Sequence, residues 1–432
     1  MNRRMKIRQF CLVVICALIA ASHASSAQSI GALRAGASKV DITPASSAGL
    51  TNLWGNPLTG VHDHIYARAI VLDNGQTTEA IVAVDTVEIT DGAPFVSQIS
   101  KQTGIPATNI VLAATHDHST PMISLRNADG SHQAGPAGMA FVDNVGKDMV
   151  AAVQQAQAKL QPARIAAGRG AADININRDE LTPNGYIFGR NPPGPSDKTV
   201  WVVKVESMNG KPIGLLINYA VHATVIGPKN SLLTGDVSGA TSRFVEGHYG
   251  DSVVVLWTSG AAGDQHPVIM SDEGTPSDYQ AVDTLGRILG EEVVRVADNA
   301  KGASSQVRLW SAEKTVTCPG QKVSGGGNGQ PQTDIKAVDA PPVSFRLGVL
   351  MIDKIAIAEV SAEVVGKIGK ELRDGSPYAN TILVTLANGR VGYIPDDVSY
   401  DIWTQEAVGS PLKKGCGETT IVNGLLDLIR QY

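Results

Sequence analysis

What most restricts the fold of this chain is an alternation of short, β-branched apolar runs with longer stretches of helical spacing. Runs of four to eight such residues suit buried strands, and apolar residues recurring every three or four positions suit helices packed along one side. Strands are expected over residues 66–72, 80–84, 110–114, 201–205, 214–219, 253–257, 347–352, 355–359 and 382–387. Helices are expected over 141–160, 278–297, 362–373 and 419–431. Interleaving of the two kinds predicts an α/β class with mixed central sheets flanked by helices. Two Gly- and Pro-rich stretches, 184–195 and 319–342, read as loops inside one domain, because strands resume on either side.

The N-terminus is of another kind. Arg3, Arg4, Lys6 and Arg8 precede an apolar run over 10–21 and small residues ending at Ala27, the pattern of a secretory signal. Its apolar run of about 12 residues is shorter than the ~20 that span a bilayer. A mature chain beginning near Gln28, periplasmic or secreted, without an integral membrane segment and with one domain over 28–432, is therefore expected. Four of the 36 basic residues and none of the 41 acidic ones lie in the signal, so its removal takes the formal net charge from −5 to −9. That acidity argues against nucleic acid or an anionic membrane as partner. Cys11 and Cys16 leave with the signal; Cys318 and Cys416 stay, either as one disulfide or as two thiols.

The chemistry gathers where strands end. Asn109–Pro121 runs from a strand into His116-Asp117-His118, and in extended backbone residues two apart face the same side. A second strand ends at His222, and a third leads through a Gly-rich turn to Asp264 and His266. Imidazole is the commonest ligand for zinc, and open α/β sheets bind ligands at the carboxyl ends of their strands. Three strands ending in histidine point to a metal site there.

These residues also resemble a known family. Thr115-His116-Asp117-His118-Ser119-Thr120-Pro121 is similar to the Thr-His-Thr-His-Ser-Gly-Pro segment of neutral ceramidases, and Ala220-Val221-His222-Ala223-Thr224 resembles their later Val-His segment. The likeness starts at Ala37–Pro44 and includes Gly60–Asp63, Asn177-Arg178, Gly235-Asp236, Gly260–Gly263, Ser361-Ala362-Glu363 and Gly392-Tyr393-Ile394. It implies a zinc ion held by His116, His222, Glu363 and Tyr393. His118 is implied as general base and then acid, and Arg178 as the group that steadies the substrate carbonyl or its oxyanion. His62 and Asp236 are implied to line or orient the site. The implied reaction is hydrolysis of an N-acyl bond, with zinc-activated water as nucleophile and a small-molecule or lipid-like N-acyl compound as substrate. The C-terminal β-sandwich domain of full-length ceramidases is not expected here.

Two departures bear on the substrate. Where ceramidases carry a serine of nucleophilic or substrate-positioning role, this chain has His266, and the glycine after their His-Ser is Thr120. Three alternatives stand: water alone as nucleophile, His266 as a second base or a ligand, or Ser238 or Ser242 in the serine's place. Among other functions, a catalytically silent zinc- or ligand-binding protein and a metallo-esterase or lactonase are the alternatives to an amide hydrolase. Gly235-Asp236-Val237-Ser238-Gly239 does not open a strand-to-helix turn with the spacing of a serine hydrolase elbow. Oligomeric state is not legible.

Overall fold

Six of the expected runs and two further strands pair into one sheet, in the spatial order Val254–Ser259, Pro212–Tyr219, Thr199–Ser207, Gln161–Ala171, Arg34–Asp41, Tyr66–Asp73, Thr78–Val84, Ile110–Ala114. The structure is a computed structural model, and it describes residues 30–124, 135–250, 252–271, 273–326 and 334–432. The signal expected over 1–27 lies outside the described residues. Pairing is parallel at both edges of the sheet and antiparallel between them. Side chains alternate across it: Trp201, Val203 and Val205 face one side, Val200 and Val202 the other.

One face is covered by Ala93–Thr103 and Pro136–Ala158 over one half and by Asp236–Tyr249 and Pro276–Asn299 over the other. The opposite face packs on a second sheet, Leu309–Ser324, Lys336–Ile352, Ile355–Val360 and Asn380–Val384, through Leu309, Leu350, Ile352, Ile357 and Val384. Helices Gly366–Gly375 and Gly417–Ile429 cover the far side of that sheet. The result is a layered α/β/β/α arrangement of the expected class.

The large sheet curls until its two edge strands approach each other without closing into a barrel. Residues 385–388 lie between them. The Asn388 N–H donates to Leu112 O (2.7 Å), and the Asn388 side chain accepts from Leu112 N (2.9 Å). The Thr385 N–H donates to Ser259 O (3.0 Å) on the other edge. Beyond the strand ends, Asp117 bridges to Ala223, and the His118 N–H donates to Ala223 O (3.4 Å). The carboxyl ends of strands from opposite edges thereby meet at one place.

Several expectations change. Residues 184–195 are not a loop: Gly185–Asn191 forms a hairpin with Asn175–Thr182. Tyr186-Ile187-Phe188 supplies strand-forming side chains, and Pro183-Asn184-Gly185 makes the turn, with Gly185 at φ +114°. Residues 319–342 are mostly a long hairpin, with Leu309–Ser324 paired to Lys336–Ile352; 327–333 lie outside the described residues. The expected helix over 362–373 begins only at Gly366, because Glu363 and Val364 pair with Tyr393 and Ile394 as short strands. The strand expected to reach 387 ends at Val384, since Leu386 and Asn388 turn through φ +53° and +58° to reach both sheet edges.

Cys318 and Cys416, 98 positions apart in sequence, form a disulfide with Cα atoms 5.8 Å apart. It ties the long hairpin to the start of the last helix. Cross-linking a loop of this length stabilises by about 2–4 kcal/mol in typical proteins. Replacing both cysteines by alanine should lower stability by that amount in urea titrations; an unchanged midpoint would mean the last helix is held by packing alone.

Candidate metal centre

Ile110–Ala114 carries His116 past the edge of the sheet, but not in extended backbone. His116 has φ +66°, a left-handed conformation that costs a side-chain-bearing residue of order 1 kcal/mol or more. The turn is fixed on both sides: the Thr115 N–H donates to Val84 O (3.0 Å) and the Asp117 N–H to Thr86 O (3.1 Å). The expected alternation therefore fails at His116. The turn still brings the rings of His116 and His118 to 4.8 Å between centroids.

Pro212–Tyr219 delivers His222, whose ring lies 4.4 Å from His116 and 5.5 Å from His118. One nitrogen from each of these three histidines lies within 4.8 Å of the others. Glu363 joins them through its short strand, where it sits opposite Tyr393. Gly263 packs against the chain there, where a Cβ would come within 3.0 Å of Val364 O. Asp264 accepts the Gly366 N–H (2.8 Å) at the start of the following helix.

Proton accounting shows what the cluster requires. His116 Nδ1 is 3.0 Å from Val87 O and His222 Nδ1 is 2.9 Å from Gln265 O. Carbonyl oxygens only accept, so both Nδ1 atoms carry hydrogen, and each ring, when neutral, presents an Nε2 lone pair. Those lone pairs lie 3.2 and 2.9 Å from a single oxygen, Glu363 Oε1. Burial and the neighbouring Arg178 and His116 charges push His222 down to about 4, which keeps it neutral. Three acceptors thus converge at one point, with only Arg178 Nη1, 3.1 Å from His222 Nε2, approaching as a donor, and the set fits a metal ion. Burial works against the Glu363 charge, but His116 and His222 outweigh it and hold the carboxylate well below its usual range.

Tyr393 completes the expected set less firmly. Burial and Glu363 push its phenol up to about 12, although Arg178 and Arg390 act in the opposite direction. Arg390 donates to Glu363 Oε2 (3.2 Å) and pairs with Glu88 (3.0 Å), anchoring the carboxylate from behind.

His118 differs from the other two. It is half-buried, neither ring nitrogen has a hydrogen-bond partner, and the indole of Trp54 lies 5.3 Å away. Burial and the two neighbouring imidazoles push it well below its usual pKa, so it stands as a free base. Arg178 is fully enclosed: Nη1 is 3.1 Å from His222 Nε2, and Nε donates to Glu406 Oε1 at 2.7 Å. His266 is buried beside them, with Nδ1 3.3 Å from Thr224 Oγ1, Nε2 without a partner, and its ring against the edge of Phe188 at 4.5 Å.

The remaining candidates lie further out. Asp236, at φ +45°, accepts the N–H groups of Val225, Ile226 and Val237 at 3.2, 3.0 and 2.6 Å, and so fixes the chain just after His222. His62 bonds Asp63 (2.8 Å) and stacks on Tyr279, which reaches Ser119 through Asn230. Ser238 and Ser242 donate to carbonyls one turn back in their helix, at 2.9 and 3.0 Å. Thr120 donates to Asp117 O at 2.7 Å. Trp54, Glu88, Arg390 and Glu406 were not legible as site residues, because no motif or spacing marks them.

A layered α/β protein that gathers three imidazoles and a buried carboxylate at its strand ends is a candidate metalloprotein. The family described as neutral/alkaline non-lysosomal ceramidase, N-terminal, matches residues 34–284, and the chain belongs to that family. Neutral ceramidase B of Dictyostelium discoideum is 28% identical over 287 residues, covering 58% of this chain and 38% of that protein. Neutral ceramidase of Pseudomonas aeruginosa is 28% identical over 251 residues, covering 54% of this chain and 36% of that one. The chain therefore aligns to little more than a third of each relative's length. Among solved structures, a ceramidase complexed with C2 superposes with a TM-score of 0.76 at 18% identity, covering 92% of this chain and 75% of that one. The crystal structure of the P. aeruginosa neutral ceramidase gives 0.73 at 18% identity over 92% and 74%. These show a shared fold.

Asp236 provides a test of how the site is held. Replacement by alanine strands three backbone donors, at about 1–3 kcal/mol for each buried group left unpaired. Asp236→Ala should lose about 3 kcal/mol or more in denaturant titration, and a loss under 1 kcal/mol would show that the turn after His222 holds without it.

Proposed function

We propose that the chain is an exported, zinc-dependent hydrolase of N-acyl bonds, with residues 28–432 as one catalytic domain after a cleaved signal. The observation that carries this reading is the convergence of His116 Nε2 and His222 Nε2 on Glu363 Oε1 with both Nδ1 atoms already committed. Ligand histidines are commonly fixed in this way, by a backbone carbonyl on the second nitrogen. His116, His222 and Glu363 would hold the ion, with Tyr393 as the fourth ligand. When bound, zinc lowers the pKa of a water from about 15.7 to about 7 and polarises a carbonyl.

His118 has no carbonyl fixing either nitrogen, which suits a group that takes and returns a proton better than a fixed ligand. It accepts the proton of the attacking water and passes it to the leaving amine. Arg178 directs Nη1 toward the centre and stabilises charge on the substrate oxygen. His266 faces the same space with a free Nε2, and serves as a second proton acceptor or positions the substrate where relatives carry serine. No helix among the described residues is long and apolar enough to cross a membrane. The ceramidase relatives point to a lipid-like N-acyl substrate, and the changes at Thr120 and His266 point to one that differs from ceramide in its polar part.

Metal content and turnover on a panel from short acyl-amino acids to ceramides, with and without chelator, test the reading. Glu363→Ala and His222→Ala should lose both the ion and activity; zinc retained at wild-type level in both would sink the ligand assignment. His118→Ala should keep its metal and lose about 10²–10⁴-fold in kcat, whereas loss of metal would make His118 a ligand. Wild-type protein that binds zinc and turns over nothing on the panel would favour a silent binder. Separately, His266→Ala should slow turnover at unchanged metal content, and an unchanged rate would make His266 structural.

A further inference from the structure

Behind Arg178 lies a buried carboxylate that no motif announced. Glu406 is completely enclosed, on the short helix Gln405–Val408 whose preceding Thr404 accepts the Ala407 N–H at 3.4 Å. Its Oε1 takes the Arg178 Nε–H at 2.7 Å and lies 2.6 Å from Nη2. The guanidinium rests between two rings, 5.0 Å from Phe188 and 5.4 Å from Tyr393. Nε is hydrogen-bonded and Nη2 ion-paired at Glu406, Nη1 is turned to His222, and the guanidinium also hydrogen-bonds Tyr393. We propose that Glu406 is a positioning residue, which fixes the Arg178 guanidinium with Nη1 aimed at the reacting centre and offsets its charge beside the metal.

The placement has a physical necessity. A guanidinium next to a divalent ion and its imidazole ligands is repelled unless an anion lies on its other side. Glu406 is that anion, and because the pair is buried its geometry is far more restricted than that of a solvated pair. Asp179 follows Arg178 in the strand and hydrogen-bonds to Glu406. Asp179 Oδ1 and Glu406 Oε2 have no other partner, so one proton shared between the two carboxyl groups satisfies both. Burial and the adjacent Glu406 push Asp179 up to about 10.

This inference rests on the hydrolase reading, and a double-mutant cycle separates the two. Arg178→Ala, Glu406→Gln and the double variant are compared on whichever panel substrate the wild-type enzyme turns over, with metal content measured on each. If Glu406 acts through Arg178, Glu406→Gln should lower kcat by about 10- to 100-fold, as loss of an orienting partner does, with KM and bound zinc little changed. The double variant should then be no slower than Arg178→Ala alone. Added guanidinium should restore part of the rate to Arg178→Ala while Glu406 is present and not to the double variant. Multiplicative losses, equal rescue of both proteins, or a wild-type kcat in Glu406→Gln would overturn the assignment. Should Glu406→Gln fail to fold, the same cycle is run with Glu406→Asp, which keeps the charge and withdraws it by one methylene, and the same criteria apply. A wild-type protein inactive on every substrate would strike the hydrolase reading itself, and this inference with it.

Discussion

The site depends on how the large sheet's two edges are joined. Edge strands expose unpaired N–H and C=O groups, and an eight-stranded sheet that curls without closing leaves two such edges near each other. Residues 385–388 satisfy both, through Leu112 on one side and Ser259 on the other. That segment follows directly on the second sheet's strand Asn380–Val384, so the same hydrogen bonds also fix one sheet on the other. His116 and His118 follow one edge, and the Gly-rich turn to His266 follows the other; Glu363 comes from the chain between. Without the seal, the groups that make the centre would hang from separate, unpaired edges.

Given that frame, the site is an exercise in acceptor excess. The far nitrogens of His116 and His222 donate to backbone carbonyls, the backbone N–H groups after His222 are spent on Asp236, and lone pairs are left pointing inward. Arg178 is held by Glu406, and Arg390 is shared between Glu88 and the outer Glu363 oxygen, Oε2, so Oε1 is left facing His116 and His222. The arrangement is poor as a salt bridge and suited to a cation, and the protein carries its cost in left-handed turns at His116 and Asp236.

Much of this was legible in the sequence, and the limits have physical reasons. Strands buried on both faces, such as 110–114 and 214–219, show as unbroken apolar runs, and the histidines that follow them mark the site directly. The strand Gln161–Ala171 escaped because its Gly and Ala residues pack closely under helices and leave no apolar run; a Cβ at Gly170 would meet Glu292 and Val296. The helix Asp236–Tyr249 escaped because its buried side is largely Ser, Thr, Gly and Ala. Both Gly- and Pro-rich stretches were hairpins, since cross-strand pairing overrides local composition. Glu363 and Tyr393 were reached only by resemblance: each is a lone residue on a two-residue strand, and only long-range pairing sets them side by side. Glu406 had no signal at all, because its partner lies 228 positions away.

The departures from the relatives are unevenly distributed. Against Glu363, His116 and His222 keep the residue type that the family resemblance implies. Beyond Arg178, His266 stands where the family resemblance has a serine, its ring 4.5 Å from that of Phe188, and Trp54, more than one-third exposed, lies beside His118. A hydroxyl and an imidazole differ in size and in proton affinity, but both can donate to and accept from a polar substrate group. A change at His266 therefore alters what faces the buried cluster, while His116 and His222 keep their approach to Glu363 Oε1.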